Sequence, residues 1–266
     1  VKEHEFKKKW GQNWLKSTEV IYDLLEAITI DPDDSILEIG PGAGAITEFL
    51  PMNCKQVVAV EIDPVLVSAF REKFAHIRNL SVVEADVLSL DLNELIDSKK
   101  LNKIVGALPY NISKKIIEKV LLSFPVKIKN AIFIIQKEVA ESYAGVGNKR
   151  SMLHHLFSCF YNIKIVRHIE SSAFKPAPNV DSSLILFIPK TESRYLIDTA
   201  LTEEFTEFLH QIYRNPRKKL TKNLSIMLVD EKLKLIYTEL GLEENTRVEE
   251  LKTTQIVRLF NFISGR

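Results

Sequence analysis

The run Ile36-Leu-Glu-Ile-Gly-Pro-Gly-Ala-Gly-Ala-Ile-Thr47 constrains this chain more than any other stretch. An apolar segment that breaks into Gly40, Pro41, Gly42 and Gly44 and resumes with helix-compatible residues predicts a strand, a tight turn and a helix to about Leu50. Glycine there lets the backbone approach a ligand that a side chain would hold off. Three readings fit such a turn: a dinucleotide loop, a purely structural corner, and the cofactor loop of a methyltransferase. A dinucleotide fingerprint wants a third glycine where this chain has Thr47, and Glu38 is badly placed for a pyrophosphate at a helix N-terminus. The balance favours a cofactor without phosphates, of which S-adenosylmethionine is the common one.

Further strands repeat the pattern. Gln56-Val-Val-Ala-Val-Glu61-Ile-Asp63 reads as a buried strand ending in acid, Pro64 starts a helix through Val67, Phe70 and Phe74, and Leu80 to Val87 is a third strand with Asp86 at its end. Glu61 is placed to accept ribose hydroxyls, and Asp86 to accept an adenine amine. A solvated strand-end acid is the plainer alternative for Glu61. Asn102 to Ser113 gives a fourth strand and its loop, in which Leu108-Pro109-Tyr110 pairs a rigid backbone with a ring suited to stacking on a base, or simply turns a corner. Ala131 to Glu138 is the fifth strand. Strands alternating with helices predict an α/β fold with a parallel, doubly wound sheet, whose ligand crevice lies at the carboxyl ends of the strands.

Beyond a helix over residues 151–160, residues 161–190 read as a long hairpin whose loop, Phe174-Lys-Pro176-Ala-Pro178-Asn-Val-Asp-Ser182, should hold Phe174 out stiffly as an exposed stacking ring. Strand signals then stop. Helical patterns at 202–213, 218–228, 231–240 and 253–263 predict a small all-α domain, with the boundary placed between 1–191 and 192–266. Arg214, Arg217, Lys218, Lys219 and Lys222 form a basic run without an internal acid, suited to an RNA backbone or to a solvated face.

Bulk properties exclude several classes. The 266 residues are 45% apolar, enough for a real core, and no apolar run approaches the roughly 18 residues of a membrane span, so a soluble chain is expected, with no membrane partner. Lys plus Arg (36) almost cancels Asp plus Glu (35), so a nucleic-acid partner would be held by local patches. Cys54 and Cys159 lack metal-ligand spacing and read as core thiols in a reducing compartment; His154 and His155 read as structural or solvated, and no metal site is expected. At the N-terminus Lys7 to Trp10 form a basic arm, and the amides of Gln12 and Asn13 beside Trp10 and Trp14 suggest a segment that folds over something. Because the sequence starts at Val1, a preceding piece is expected; the compartment is expected to be the cytoplasm, with an organelle as the alternative.

Together the motifs resemble the small-subunit ribosomal RNA adenine dimethyltransferases of bacteria and eukaryotes. They are Gly11-Gln-Asn-Trp-Leu15, Glu38-Ile-Gly-Pro-Gly-Ala-Gly44, Glu61-Ile-Asp63, Asp86, Leu108-Pro-Tyr-Asn-Ile-Ser113, Gln136-Lys-Glu-Val139, Phe174-x-Pro-x-Pro-x-Val-x-Ser182, Arg217-Lys-Lys-Leu220 and Arg247-Val-Glu-Glu-Leu251, spread over nearly the whole chain. The last two would separate the chain from the macrolide-resistance methylases of large-subunit RNA, whose C-terminal domain differs; mitochondrial transcription factors of the B type are further relatives. The resemblance implies a class I, Rossmann-like methyltransferase sheet and a monomer that dimethylates N6 of two adjacent adenosines near the 3′ end of small-subunit rRNA, within an immature small ribosomal subunit. It implies that Gln12, Asn13 and Leu15 cover S-adenosylmethionine, that Gly40 and Gly42 admit it, that Glu61 with Ile62 takes the ribose, and Asp86 with Val87 the adenine. Tyr110 and Phe174 would sandwich the flipped target base, beside Leu108 and Pro109. One position departs. The family pattern is Asn-Leu-Pro-Tyr, and this chain has Ala107 where that asparagine would accept a hydrogen bond from the target amine, so weak methylation by an otherwise binding-competent protein is expected, as from an inactivating substitution. A non-catalytic ribosome-assembly or RNA-binding factor is the alternative.

Overall fold

The computed structural model describes residues 13–123, 127–147 and 150–266. Within them the chain forms two compact units: one runs to Ala140 and takes in Lys164–Pro189, the other is Glu141–Ile163 with Lys190–Arg266. The sequence-based cut at 191/192 shares the C-terminal helices with this division and differs over Glu141–Ile163. The reason is packing. Helix α6 (Met152–Phe160) buries Leu156, Phe157 and Phe160, and it lies against α7 (Thr202–Ile212) and α10 (Thr253–Ser264).

The first unit is built on a sheet. Strands β2 (Ser35–Ile39), β3 (Gln56–Glu61), β4 (Leu80–Glu84), β5 (Lys103–Ala107) and β6 (Asn130–Gln136) pair in parallel in the order β4-β3-β2-β5-β6, and β9 (Ser182–Pro189) then adds antiparallel to β6, with β7 (Tyr161–Ile169) beyond it. The strand order reverses between β2 and β5, which opens a crevice at their carboxyl ends. Burial on both faces explains why β2, β3 and β6 read as nearly continuous apolar runs. Connecting helices are α1 (Thr18–Ile28), α2 (Pro64–Lys73), α3 (Leu92–Lys99), α4 (Ser113–Ser123) and α5 (Lys137–Ala144). Ser17 caps α1 through its side chain, and Asp63 caps α2 with Pro64 in the first turn. Val20, Ile21, Leu24 and Ile28 of α1 join Ile36, Val57, Val105, Ile132 and Leu184 in one core.

Local expectations fail where a backbone detail intervenes. No α-helix follows the glycine turn; after a series of turns only a 3₁₀ turn, Thr47–Phe49, forms. Gly44 sits at φ +82°, outside helical space, and a Cβ there would lie 2.5 Å from the Phe74 ring. The fifth strand stops at Gln136 and the chain enters α5 directly, with the Lys137 N–H still donating to the Asp181 carbonyl. The 218–228 pattern yields only α8 (Leu220–Leu224). A two-stranded ladder, β1 (Trp14–Leu15) with β8 (Phe174–Lys175), joins the start of the described chain to the distant proline-rich loop.

The second unit adds α9 (Asp230–Leu240) to α6, α7, α8 and α10. His154 Nδ1 bonds the Tyr143 carbonyl (2.8 Å) and His155 Nδ1 bonds Thr253 Oγ1 (3.0 Å), so both rings tie this unit together. Both cysteines are free and buried. No helix among the described residues is long and apolar enough to cross a membrane.

Candidate active site

A cavity of about 270 Å³ opens at the carboxyl ends of β2, β3, β4 and β5, wholly within the first unit. Asn13, Leu15, Gly40, Gly42, Glu61, Ile62, Asp86, Val87, Ala107, Leu108, Pro109, Tyr110 and Phe174 all line it. Gln12 lies outside the described residues. Gly42 shows why glycine stands in the turn: its φ is +56°, a conformation that L side chains rarely adopt, and it lies beside the Trp14 indole with its N–H donating to Glu61 Oε2 at 3.2 Å.

Glu61 is 7% exposed and is held by its own strand end: Oε1 accepts from the Ile62 and Asp63 N–H groups at 2.9 and 3.0 Å. Burial raises its pKa, opposed by those N–H donors. With Gly42 included, three of the roughly four lone-pair sites of the carboxylate are used. Asp86 accepts from the Leu88 N–H through Oδ1 at 2.8 Å, which fixes it in the loop after β4, on the cavity wall.

Sequence reasoning used Glu38 against a dinucleotide and overlooked it as part of the wall. It is buried, lines the cavity, and accepts from Thr47 Oγ1 at 2.7 Å. The threonine in place of a third glycine thus has a task of its own. Burial, with Glu61 adding repulsion, pushes the Glu38 carboxyl up to about 7 despite the Thr47 bond. The folded chain therefore keeps a proton that the unfolded chain, with a pKa near 4.5, has already lost, and stability falls as pH rises from about 4.5 to 7. Glu38→Gln is expected to remove on the order of 2 to 3 kcal/mol of that fall, read as the difference between parent and variant in urea stability at pH 5 and pH 8.

On the other wall, Leu108 is buried and its N–H donates to the Ile134 carbonyl at 3.0 Å, which fixes the start of the Leu-Pro-Tyr loop. Phe174 corrects an expectation: it is 3% exposed, since β8 pairs it with Leu15 and the core packs around it, so it offers a buried wall and not an exposed ring. In the second unit Arg214, Arg217, Lys218, Lys219 and Lys222 are all exposed. Lys219, however, pairs with Glu244 at 3.0 Å and bridges to Arg247, so the segment holding Arg217-Lys-Lys-Leu220 runs beside the one holding Arg247-Val-Glu-Glu-Leu251.

The lining decides what the cavity suits. Among the described residues it carries three carboxylates, Glu38, Glu61 and Asp86, and no lysine or arginine. Such a lining attracts a cation and repels a pyrophosphate. A glycine-floored crevice at the strand-order reversal, with acids at the ends of the next two strands, defines a class I methyltransferase fold. Comparison with known proteins narrows this further. The family model described as ribosomal RNA adenine dimethylase matches residues 3–265. The small-subunit ribosomal RNA methyltransferase A of Fusobacterium nucleatum is 33% identical over 99% of this chain and 100% of its own length, and that of Marinobacter nauticus is 34% identical over 98% and 92%. A crystal structure of a dimethyladenosine transferase from Plasmodium falciparum (25% identity, TM-score 0.77) covers 94% of this chain and 98% of that one. The 23S rRNA methyltransferase ErmE (26% identity, TM-score 0.77) covers 95% and 100%. The chain belongs to the ribosomal RNA adenine dimethylase family.

Proposed function

We propose that this chain is an rRNA adenine N6-dimethyltransferase that modifies two adjacent adenosines near the 3′ end of small-subunit rRNA during ribosome maturation. The observation that carries the reading is the single cavity in which the glycine turn, Glu61, Asp86 and the Leu108-Pro-Tyr110 loop meet. S-adenosylmethionine supplies an activated methyl group on a cationic sulfonium. Gly40 and Gly42 leave room for it, Asn13 and Leu15 cover it, Glu61 beside Ile62 accepts from the ribose, and Asp86 beside Val87 accepts from the adenine amine. The Leu108 carbonyl accepts from the target amine, and Tyr110 and Phe174 flank the target base beside Pro109. Positioning supplies most of the rate.

Relatives named for the small subunit, at 33% and 34% identity, support that substrate over the large-subunit RNA of ErmE. Methyl incorporation into unmethylated small subunits, against large subunits as control, tests it; labelling of large subunits alone would overturn it. The first unit carries the chemistry and the C-terminal helices meet the RNA, with the chain acting as a monomer on the assembling subunit in the cytoplasm. Ala107 favours a second reading, an assembly factor that binds cofactor and RNA without methylating. Calorimetric cofactor binding with no methyl incorporation would support that one.

Of the five cations proposed as phosphate contacts, Arg214, Arg217, Lys218 and Lys222 have no acid against them among the described residues. Arg217→Ala with Lys218→Ala is expected to lower the slope of log K against log salt by about 2 and to weaken RNA binding without regard to base sequence. An unchanged slope would remove this run from the interface.

A further inference from the structure

Tyr110 and Ser182 lie 72 positions apart in sequence and meet through their hydroxyls at 2.6 Å. Ser182 is fully buried and opens β9, where it stands opposite Gln136 of β6. Its neighbour Asp181 is pinned twice: the carbonyl accepts from the Lys137 N–H at 2.9 Å, and Oδ1 accepts from the Ser171 N–H at 3.1 Å. The anchor is therefore rigid backbone. The tyrosine end is less constrained, since Tyr110 sits in the loop between β5 and α4, with its ring on the cavity. Phe174 begins the same segment that Ser182 ends. One loop thus supplies one aromatic wall and holds the other by its hydroxyl.

We propose that Ser182 is a positioning residue for methyl transfer, fixing the Tyr110 ring at the angle at which it stacks on the target adenine opposite Phe174. This rests on the adenine-methylating reading of the cavity. A phenol tied at its far end cannot swing about its side-chain bonds, so the slot is formed before the base enters. Without the tie the ring samples other rotamers, and the base must order it on arrival.

Ser182→Ala and Tyr110→Phe each remove this bond while keeping the ring and the backbone. Each is expected to lower kcat about 3- to 10-fold, the range of one net hydrogen bond, with KM for S-adenosylmethionine unchanged. The double variant should be no worse than either single one. A second readout is independent of turnover: small-subunit RNA carrying 2-aminopurine at the target adenosine, bound in the presence of S-adenosylhomocysteine. Its emission should be quenched by stacking in the parent and raised equally in the single and double variants. If Ser182→Ala loses thermal stability, Tyr110→Phe carries the test. Additive effects, or unchanged kcat and emission beside a parent that methylates small subunits, overturn the inference and leave the function standing. A parent that neither methylates nor binds the RNA overturns the function, and the inference with it.

Discussion

Ala107→Asn is expected to raise the rate of methyl incorporation into small subunits by roughly 30- to 1000-fold, with cofactor affinity unchanged. The figure follows from geometry and one missing group. Residue 107 ends β5, pairs with Ile134 of β6, and lines the cavity next to the buried Leu108. Two acceptors aimed at the target amine would hold its lone pair on the methyl carbon; alanine leaves only the backbone carbonyl that follows it. One positioned hydrogen bond in a closed site contributes on the order of 2 to 4 kcal/mol at the transition state. Single-turnover methylation with both proteins at saturating cofactor measures it. No gain would clear Ala107 of any defect and shift attention to the RNA-binding side. A gain in cofactor affinity alone would mean that residue 107 acts on the other substrate.

The second large effect concerns stability. Lys103→Met is expected to cost about 3 to 5 kcal/mol, because it breaks a buried ion pair and leaves the charge behind. Asp34 is wholly buried; it accepts from Lys103 Nζ at 2.7 Å, from Lys129 Nζ at 2.6 Å and from the Asp31 N–H at 2.8 Å. Burial pushes its pKa up, yet these donors outweigh it and hold the carboxyl at about 2. Lys103 also donates to the carbonyls of Ile28 and Thr29, closing the end of α1 onto the start of the sheet. Lys129 is 52% exposed and would retain only part of the stabilisation alone. The depressed pKa has a definite sign: its stabilisation is complete above about 3.8 and is lost as pH falls through 2. Urea unfolding of Lys103→Met, Asp34→Asn and the pair measures it, with the double variant expected to lose less than the sum. A loss under 1 kcal/mol for Lys103→Met would show that Lys129 suffices. Cofactor binding should survive at saturating ligand, since this cluster sits where β2 and β5 begin and the cavity where they end.

The glycine turn, the strand-end acids and the parallel sheet were legible because each is written locally, as an apolar run followed by a breaker. Other features rest on meetings between distant residues. Phe174 reads as exposed between two prolines until Leu15 pairs with it, and no periodicity announces a two-residue ladder. Glu38 reads as a misplaced acid until Thr47 bonds it. Gly44 looks compatible with a helix, and only its positive φ beside Phe74 breaks that reading. The basic run looks free of acid until the fold brings Glu244 to Lys219. Family motifs reached further than periodicity, since they included Trp14 and Ser182, though without a reason for either.

The interleaving of the two units bears on how the chain is made. Helix α6, with Leu156, Phe157 and Phe160 on its apolar face, leaves the ribosome well before α7 and roughly a hundred residues before the end of α10. At about 5 to 20 residues per second that face waits on the order of 5 to 20 s for the last of its cover. Strand β9 is also made only after that helix, although it completes the earlier sheet beside β6. The first unit has all its residues once Pro189 is made, whereas the second waits for the C-terminal helices, and a nascent chain stalled at residue 191 would present the bare α6 face to whatever chaperone stands at the exit.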